Sequence, residues 1–291
     1  MASAMTAPNI ITGLSDIAGD YDALLCDAWG VIHNGVEVFD GVAEALTNFR
    51  QERGPVLILT NAPRLNEVIP PQLDHLGLPR GAYDGVVTSG DATRAGVQAF
   101  TGQPAFRIGP DKDDTLFDAM DIEFVGLEDA RFILCTGLND DRTETPEDYR
   151  DLLTDAKQHG LPMICANPDI VVELGNRKMY CGGALAQLYE QMGGSTVLCG
   201  KPHTPIYDLA LEYLARANND NPPERVLAIG DGLQTDILGA NRHNIDVVFV
   251  AHGIFREASR NENGDLDPDL VERLLSEHNV HAKAVMEMLV W

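Results

Sequence analysis

Short apolar runs recur along the chain. Each is closed by a polar or glycine-containing break and followed by apolar positions at helical spacing. Ala23-Leu24-Leu25-Cys26, Val56-Leu57-Ile58-Leu59 and Gly85-Val86-Val87-Thr88-Ser89 are the first three. Runs of that length between breakers predict strands buried on both faces, as in a parallel sheet. After the first run, Val31-Ile32-His33-Asn34-Gly35 predicts a small hairpin or flap with an Asn-Gly turn. From Asp40 or Gly41 to Arg53, Val42, Ala45, Leu46 and Phe49 share one helical face, and Gly54-Pro55 ends the helix. A helix from about Leu65 to Leu76 is expected to be broken in two by Pro70 and Pro71, and Asp91 is expected to cap one running to about Phe100.

A second set of such elements begins near residue 101. Phe106-Ile108, Phe124-Val125, Phe132-Cys135, Pro162-Cys165 and Thr196-Cys199 predict strands, and Pro146-His159, opened by Thr145, and Gly182-Met192 predict helices. Then come a helix over Pro205-Ala217, a strand over Arg225-Ile229, a helix over Thr235-Asn244, a strand over Asp246-Val250 and a helical region over 268–289. Strands alternating with helices imply right-handed βαβ units in an α/β fold. The middle third can form a smaller domain inserted into the first.

Composition narrows the classes of function. The formal charge is −24, from 45 acidic and 21 basic residues, which disfavours nucleic acid and anionic membrane surfaces as partners. No apolar run is long enough for a membrane span, and Met1-Ile11 lacks the pattern of a signal peptide. The five cysteines are scattered with no C-x-x-C pair, which predicts a reduced protein of the cytoplasm. Only five of the basic residues are lysines, so Lys201, just after a glycine, stands out.

Four predicted strand ends carry polar groups: Asp27, Thr60-Asn61, Lys201, and Asp231 with Asp236. If these strands share one parallel sheet, the groups meet along one edge. Taken alone, Asp27 equally suits a turn after its strand. Together the groups have the parts of phosphoryl transfer. They include a nucleophilic carboxylate, oxygen donors for Mg²⁺, a lysine for the phosphoryl charge, and hydroxyl and N–H donors for its oxygens.

These motifs, in this order, resemble the haloacid dehalogenase (HAD) superfamily. Thr60-Asn61-Ala62-Pro63-Arg64, Thr88-Ser89, Asn167-Pro168-Asp169, Gly200-Lys201-Pro202 and Gly230-Asp231-Gly232-Leu233-Gln234-Thr235-Asp236-Ile237 bring it closest to the class IIA, NagD-like phosphatases. The resemblance implies a Rossmann-like parallel-sheet core formed by residues 1–100 and 195–291, with an α/β cap domain inserted at 101–194. It implies Asp27 as nucleophile and Mg²⁺ ligand. The Trp29 backbone carbonyl and Asp231 would be further ligands, with Asp236 just behind them. Thr60, Asn61 and Lys201 would bind phosphate, and the cap loop Cys181-Gly182-Gly183 would face the substrate. Caps of this kind often mediate dimers in the resembling family, which makes a homodimer one option and leaves the oligomeric state open.

One departure stands out. Most family phosphatases carry a second aspartate two residues after the nucleophile, as the general acid/base; here that position is Trp29. An indole has one N–H donor and no usable acid/base function. Three readings follow. The first is a Mg²⁺-dependent phosphatase of a small phosphorylated metabolite. The second is a phosphate-ligand binding protein with little turnover. The third is a metal-independent 2-haloacid dehalogenase, which the presence of both Asp231 and Asp236 opposes.

Overall fold

The computed structural model describes residues 8–118, 120–174, 177–217 and 221–291, so most of the stretch read above for a signal peptide lies outside it. In chain order the elements are α1 (Ser15–Ala18), β1 (Ala23–Cys26), α2 (Val42–Glu52), β2 (Val56–Thr60), α3 (Ile69–Leu76), β3 (Gly85–Thr88), α4 (Ser89–Val97), β4 (Ala105–Ile108) and β5 (Phe132–Cys135). There follow α5 (Arg150–Gln158), β6 (Pro162–Cys165), β7 (Val171–Leu174), β8 (Arg177–Tyr180), α6 (Gly182–Gln191), β9 (Ser195–Leu198) and α7 (Thr204–Ala217). The last are β10 (Val226–Gly230), α8 (Leu238–Arg242), β11 (Asp246–Val250), α9 (Pro268–Glu277) and β12 (Ala284–Met286).

The chain forms two compact units. One holds the chain up to Leu59 with Leu73–Gly85 and Ala210–Trp291; the other holds Thr60–Gln72 and Val86–Leu209. The main sheet has the order β12-β11-β10-β1-β2-β3. β1 lies in its interior, parallel to β10 on one side and β2 on the other. All four β1 residues are buried, which is why the run is apolar throughout rather than alternating. Val42, Ala45, Leu46 and Phe49 form the buried face of α2, each side chain contributing about 1–3 kcal/mol of apolar burial. The second sheet, β4-β5-β6-β9, is parallel throughout. It is packed by Tyr149, Leu153 and Ala156 at and within α5 and by Leu185, Leu188 and Tyr189 of α6. The fold is a parallel-sheet α/β core with a further α/β sheet and helices, as expected.

The structure departs from the pattern in several places. The break before α3 falls ahead of the prolines, at a 3₁₀ turn over Asn66–Val68. Pro70 and Pro71 sit in the first turn of α3, where a helix needs no N–H from them. Thr88, not Asp91, is the N-cap of α4; Asp91 closes a capping box with it, and the α-helix ends at Val97 before a 3₁₀ turn. Phe124 makes only an isolated bridge to Ala105. The C-terminal region is not helical throughout. α9 stops at Glu277, Asn279 takes the left-handed conformation that follows many helix ends, and Ala284–Met286 adds β12 to the sheet edge beside β11. The hairpin β7–β8 was not expected at all. Finally, β9 pairs with β6, so Ser195–Leu198 belongs to the second sheet and not to the core segment expected to resume at 195. Among the described residues, no helix is long and apolar enough to cross a membrane.

Candidate active site

In the first unit the site grows from strand register. Cys26 pairs with Ile229, and the Asp27 N–H donates to the Ile229 carbonyl at 2.9 Å, carrying the ladder one residue beyond the strand. Asp27 and Asp231 therefore leave neighbouring parallel strands at the same edge. The chain after Asp231 enters a π-helical turn, Leu233–Ile237, which brings Asp236 back toward the strand end. The Gly232 N–H donates to Asp236 Oδ2 at 3.1 Å. A side chain on Gly230 would put its Cβ 2.2 Å from the Asp236 Cβ, so this return is open only to glycine. One oxygen from each of Asp27, Asp231 and Asp236 lies within 4.8 Å of the others, and all three residues are buried.

Three buried carboxylates so close together repel one another unless a cation or protons offset them. An all-oxygen donor set suits a hard divalent ion such as Mg²⁺. The packing around Asp231 fits that role. Its Oδ2 accepts from the Ile254 N–H at 3.0 Å. A Cβ on Gly253 or Gly30 would lie 1.7 or 2.2 Å from that same oxygen, and Gly30 has φ +84°. The backbone thus approaches the carboxylate on two sides as only glycine allows. Gly253 and Ile254 carry no motif that singled them out; the one signal is a glycine shortly after the buried run of β11.

Trp29 and His33 lie in the turn after β1. Gly30 N–H donates to the His33 carbonyl at 2.9 Å, and the two rings meet edge to face at 5.2 Å. His33 is buried, and burial pushes its pKa down to about 4. Its Nδ1 accepts from the Gly35 N–H at 3.0 Å, so the neutral ring carries its proton on Nε2. His33 is therefore no cationic acid at neutral pH.

In the second unit the structure joins three segments. The Asn61 Oδ1 accepts from the Lys201 N–H at 2.7 Å, while Asn61 Nδ2 donates to the Lys201 carbonyl at 3.3 Å and to Asp169 Oδ1 at 2.8 Å. Asn61 and Lys201 are each 2 % exposed. Thr60 is the last residue of β2, and its hydroxyl accepts from the Ala62 N–H at 3.3 Å. Lys201 does not follow a strand of the main sheet, as its place in the sequence suggested; it follows β9, an edge of the second sheet. Cys181, Gly182 and Gly183 open α6 and are buried. Burial first, then the charge of Asp169, pushes the Cys181 thiol far up, so it is no nucleophile. A Cβ on Gly183 would lie 2.1 Å from the Pro168 carbonyl, and the Gly183 N–H donates to the Asp169 carbonyl at 3.1 Å. The glycines serve close packing on the Asn167-Pro168-Asp169 turn.

Asp27 and Asp231 at adjoining parallel strand ends, with Asp236 returned beside them by the Leu233–Ile237 turn, make a buried carboxylate cluster at the edge of an α/β sheet. The haloacid dehalogenase-like hydrolase family model matches residues 24–123, and a HAD-hydrolase-like model matches residues 198–278. A haloacid dehalogenase-like hydrolase from Brucella suis is 40% identical in its crystal structure, with a TM-score of 0.86, covering 97% of this chain and 100% of that one. The chain belongs to the haloacid dehalogenase-like hydrolase family. An acid sugar phosphatase of Staphylococcus saprophyticus is 27% identical over 242 residues, 81% of this chain and 88% of the relative. A glycerol phosphate phosphatase of Mycobacterium tuberculosis, crystallised with magnesium, shares the fold at TM-score 0.64 and 22% identity, over 90% of this chain and 78% of that one.

Proposed function

We propose that the protein is a Mg²⁺-dependent phosphatase of small phosphorylated metabolites, of the sugar-phosphate type, acting through an aspartyl-phosphate on Asp27. The observation that carries this is the buried trio Asp27, Asp231 and Asp236, with oxygens within 4.8 Å. A dehalogenase needs no such trio, and the similarity to an acid sugar phosphatase over 81% of the chain points the same way.

In this reading an Asp27 carboxylate oxygen attacks phosphorus as the ester P–O bond breaks, and water then attacks the phosphoaspartate to release phosphate and restore Asp27. Bound Mg²⁺, held by Asp27, Asp231 and the Trp29 carbonyl with Asp236 behind them, supplies electrostatic stabilisation of the phosphoryl charge. Asp231 is aimed by the Ile254 N–H and Asp236 by the Gly232 N–H. Lys201 neutralises phosphoryl oxygens, and Thr60 and the main chain at Asn61 hold the group. Trp29 cannot protonate the leaving oxygen, and His33 is held neutral by burial. Losing a general acid costs roughly 10²–10⁴-fold, so the site favours esters whose leaving oxygen needs no proton. If turnover is slow on all esters, the same site acts as a phosphate-ligand binder, the second reading, which Trp29 favours.

The test is phosphate release from a panel of monoesters, aryl and alkyl, with Mg²⁺ and with EDTA. Mg²⁺-dependent release that Asp27→Asn abolishes is the expected result. EDTA-insensitive halide release from 2-haloacids refutes it, and phosphate binding with no release by the wild type establishes the binder instead.

A further inference from the structure

We infer that Asp169 is a positioning residue that sets the backbone at Lys201 by holding the Asn61 side chain in one orientation; its effect on turnover rests on the phosphatase reading. Three segments distant in the sequence meet at one amide. Both Asn61 Nδ2 hydrogens and its Oδ1 have partners: Asp169 Oδ1 at 2.8 Å, the Lys201 carbonyl at 3.3 Å and the Lys201 N–H at 2.7 Å. An amide can be rotated end for end at little cost in shape, so what matters is which end faces which partner. A carboxylate accepts only, and Asp169 therefore forces the Nδ2 end toward itself. Oδ1 is left for the Lys201 N–H. With an apolar residue at 169, the amide loses its charged partner, and its direction is left to the Lys201 N–H and the longer bond to the Lys201 carbonyl.

The neighbours show that the arrangement is built. Asn61 is 2 % exposed. A Cβ on Gly200 would lie 2.3 Å from Asn61 Oδ1 and 2.8 Å from the Pro168 ring, so glycine is required where the lysine loop passes under both. Asp169 is fixed in turn by its own backbone: its N–H donates to Asn167 Oδ1 at 3.1 Å, and its carbonyl accepts from Gly183 at the start of α6. The Asn-Pro-Asp turn thus delivers a carboxylate whose direction does not depend on Asn61. Asn61 then acts on the phosphate site through the Lys201 main chain, its side-chain amide being spent on Asp169 and Lys201.

The test combines hydrogen exchange with kinetics on Asp169→Ala, Asn61→Asp and the swap Asn61→Asp/Asp169→Asn. In the swap, the amide at 169 donates to a carboxylate at 61 that still accepts from the Lys201 N–H. Exchange of the 199–204 backbone is expected to quicken in Asp169→Ala and to recover in the swap. With p-nitrophenyl phosphate, KM and the inhibition constant of inorganic phosphate are expected to rise about tenfold in Asp169→Ala, the worth of one charge-assisted hydrogen bond, with kcat changing less. Asn61→Asp alone sets its carboxylate against that of Asp169 and against the Lys201 carbonyl, and is expected to be worse than Asp169→Ala or the swap; recovery in the swap is what a merely structural role would not produce. Unchanged exchange at 199–204 in Asp169→Ala, or a swap no better than Asn61→Asp, overturns the inference. If exchange responds as expected while the wild type releases no phosphate from any monoester, the phosphatase reading fails and the positioning role stands.

Discussion

Asp113→Asn is expected to stabilise the protein at neutral pH. Asp113 is 2 % exposed, in the 3₁₀ turn that follows β4. Burial raises its pKa from the ordinary 3.8 to about 6, against the opposing pull of Lys112, the Thr136 hydroxyl and Arg64, while Asp141 pushes it further up. The Thr136 hydroxyl has no well-formed hydrogen bond. Because the folded pKa is the higher one, ionised Asp113 costs the folded state above pH 6, and the cost is relieved as pH falls through 6 toward 3.8. Two pH units correspond to about 3 kcal/mol, of which a buried amide in place of the carboxyl returns about 1 kcal/mol in imperfect hydrogen bonding. A net gain of about 2 kcal/mol is expected at pH 7.5. In urea, with a slope of about 2–3 kcal/mol/M, the midpoint should rise by about 0.7–1 M. Repeated at pH 4, where the charge costs the folded state only about 0.6 kcal/mol, the gain should vanish and the variant should be a few tenths of a kcal/mol less stable than the wild type. An unchanged midpoint at pH 7.5, or a gain of equal size at both pH values, would show that Asp113 is not a buried charge in the folded protein.

The remaining predictions concern the carboxylate site. Gly253→Ala places a Cβ 1.7 Å from Asp231 Oδ2 and should abolish Mg²⁺-dependent turnover; a variant that keeps wild-type kcat and Mg²⁺ affinity would contradict the close approach. Mg²⁺ at 100 times its dissociation constant should stabilise the protein by about 2.7 kcal/mol, read as a rise in thermal midpoint. The rise should be lost in Asp231→Asn, and a rise of the same size in that variant would place the ion elsewhere. Trp29→Asp should raise kcat on alkyl phosphates by roughly 10²-fold or more, by restoring the missing acid/base. No increase in a folded variant with unchanged phosphate binding would mean that the proton comes from another source.

Sequence alone determined the local parts of this protein. Ala23–Cys26 is apolar at every position because a strand buried on both faces has no solvent side, so β1 and the polar residue that ends it, Asp27, were legible without partners. The Gly-Asp-Gly turn around Asp231 was legible for a similar reason: its glycines are demanded by contacts within a few residues, Gly230 against Asp236 above all. What pairing decides was not local. β9 is a four-residue run like the others, and nothing within it says that it adds to β6 rather than to the main sheet; that choice belongs to the register Met163 with Thr196 and Ile164 with Val197. The region after α9 has a helical composition, yet Ala284–Met286 pairs as a strand because β11 offers an open edge. Gly253, Ile254 and Asp169 gain their meaning only where the chain returns to Asp231 and Asn61 from 23 and 108 residues away. Side-chain chemistry is written residue by residue, but orientation is set by contacts between segments, and those exist only once the chain has folded.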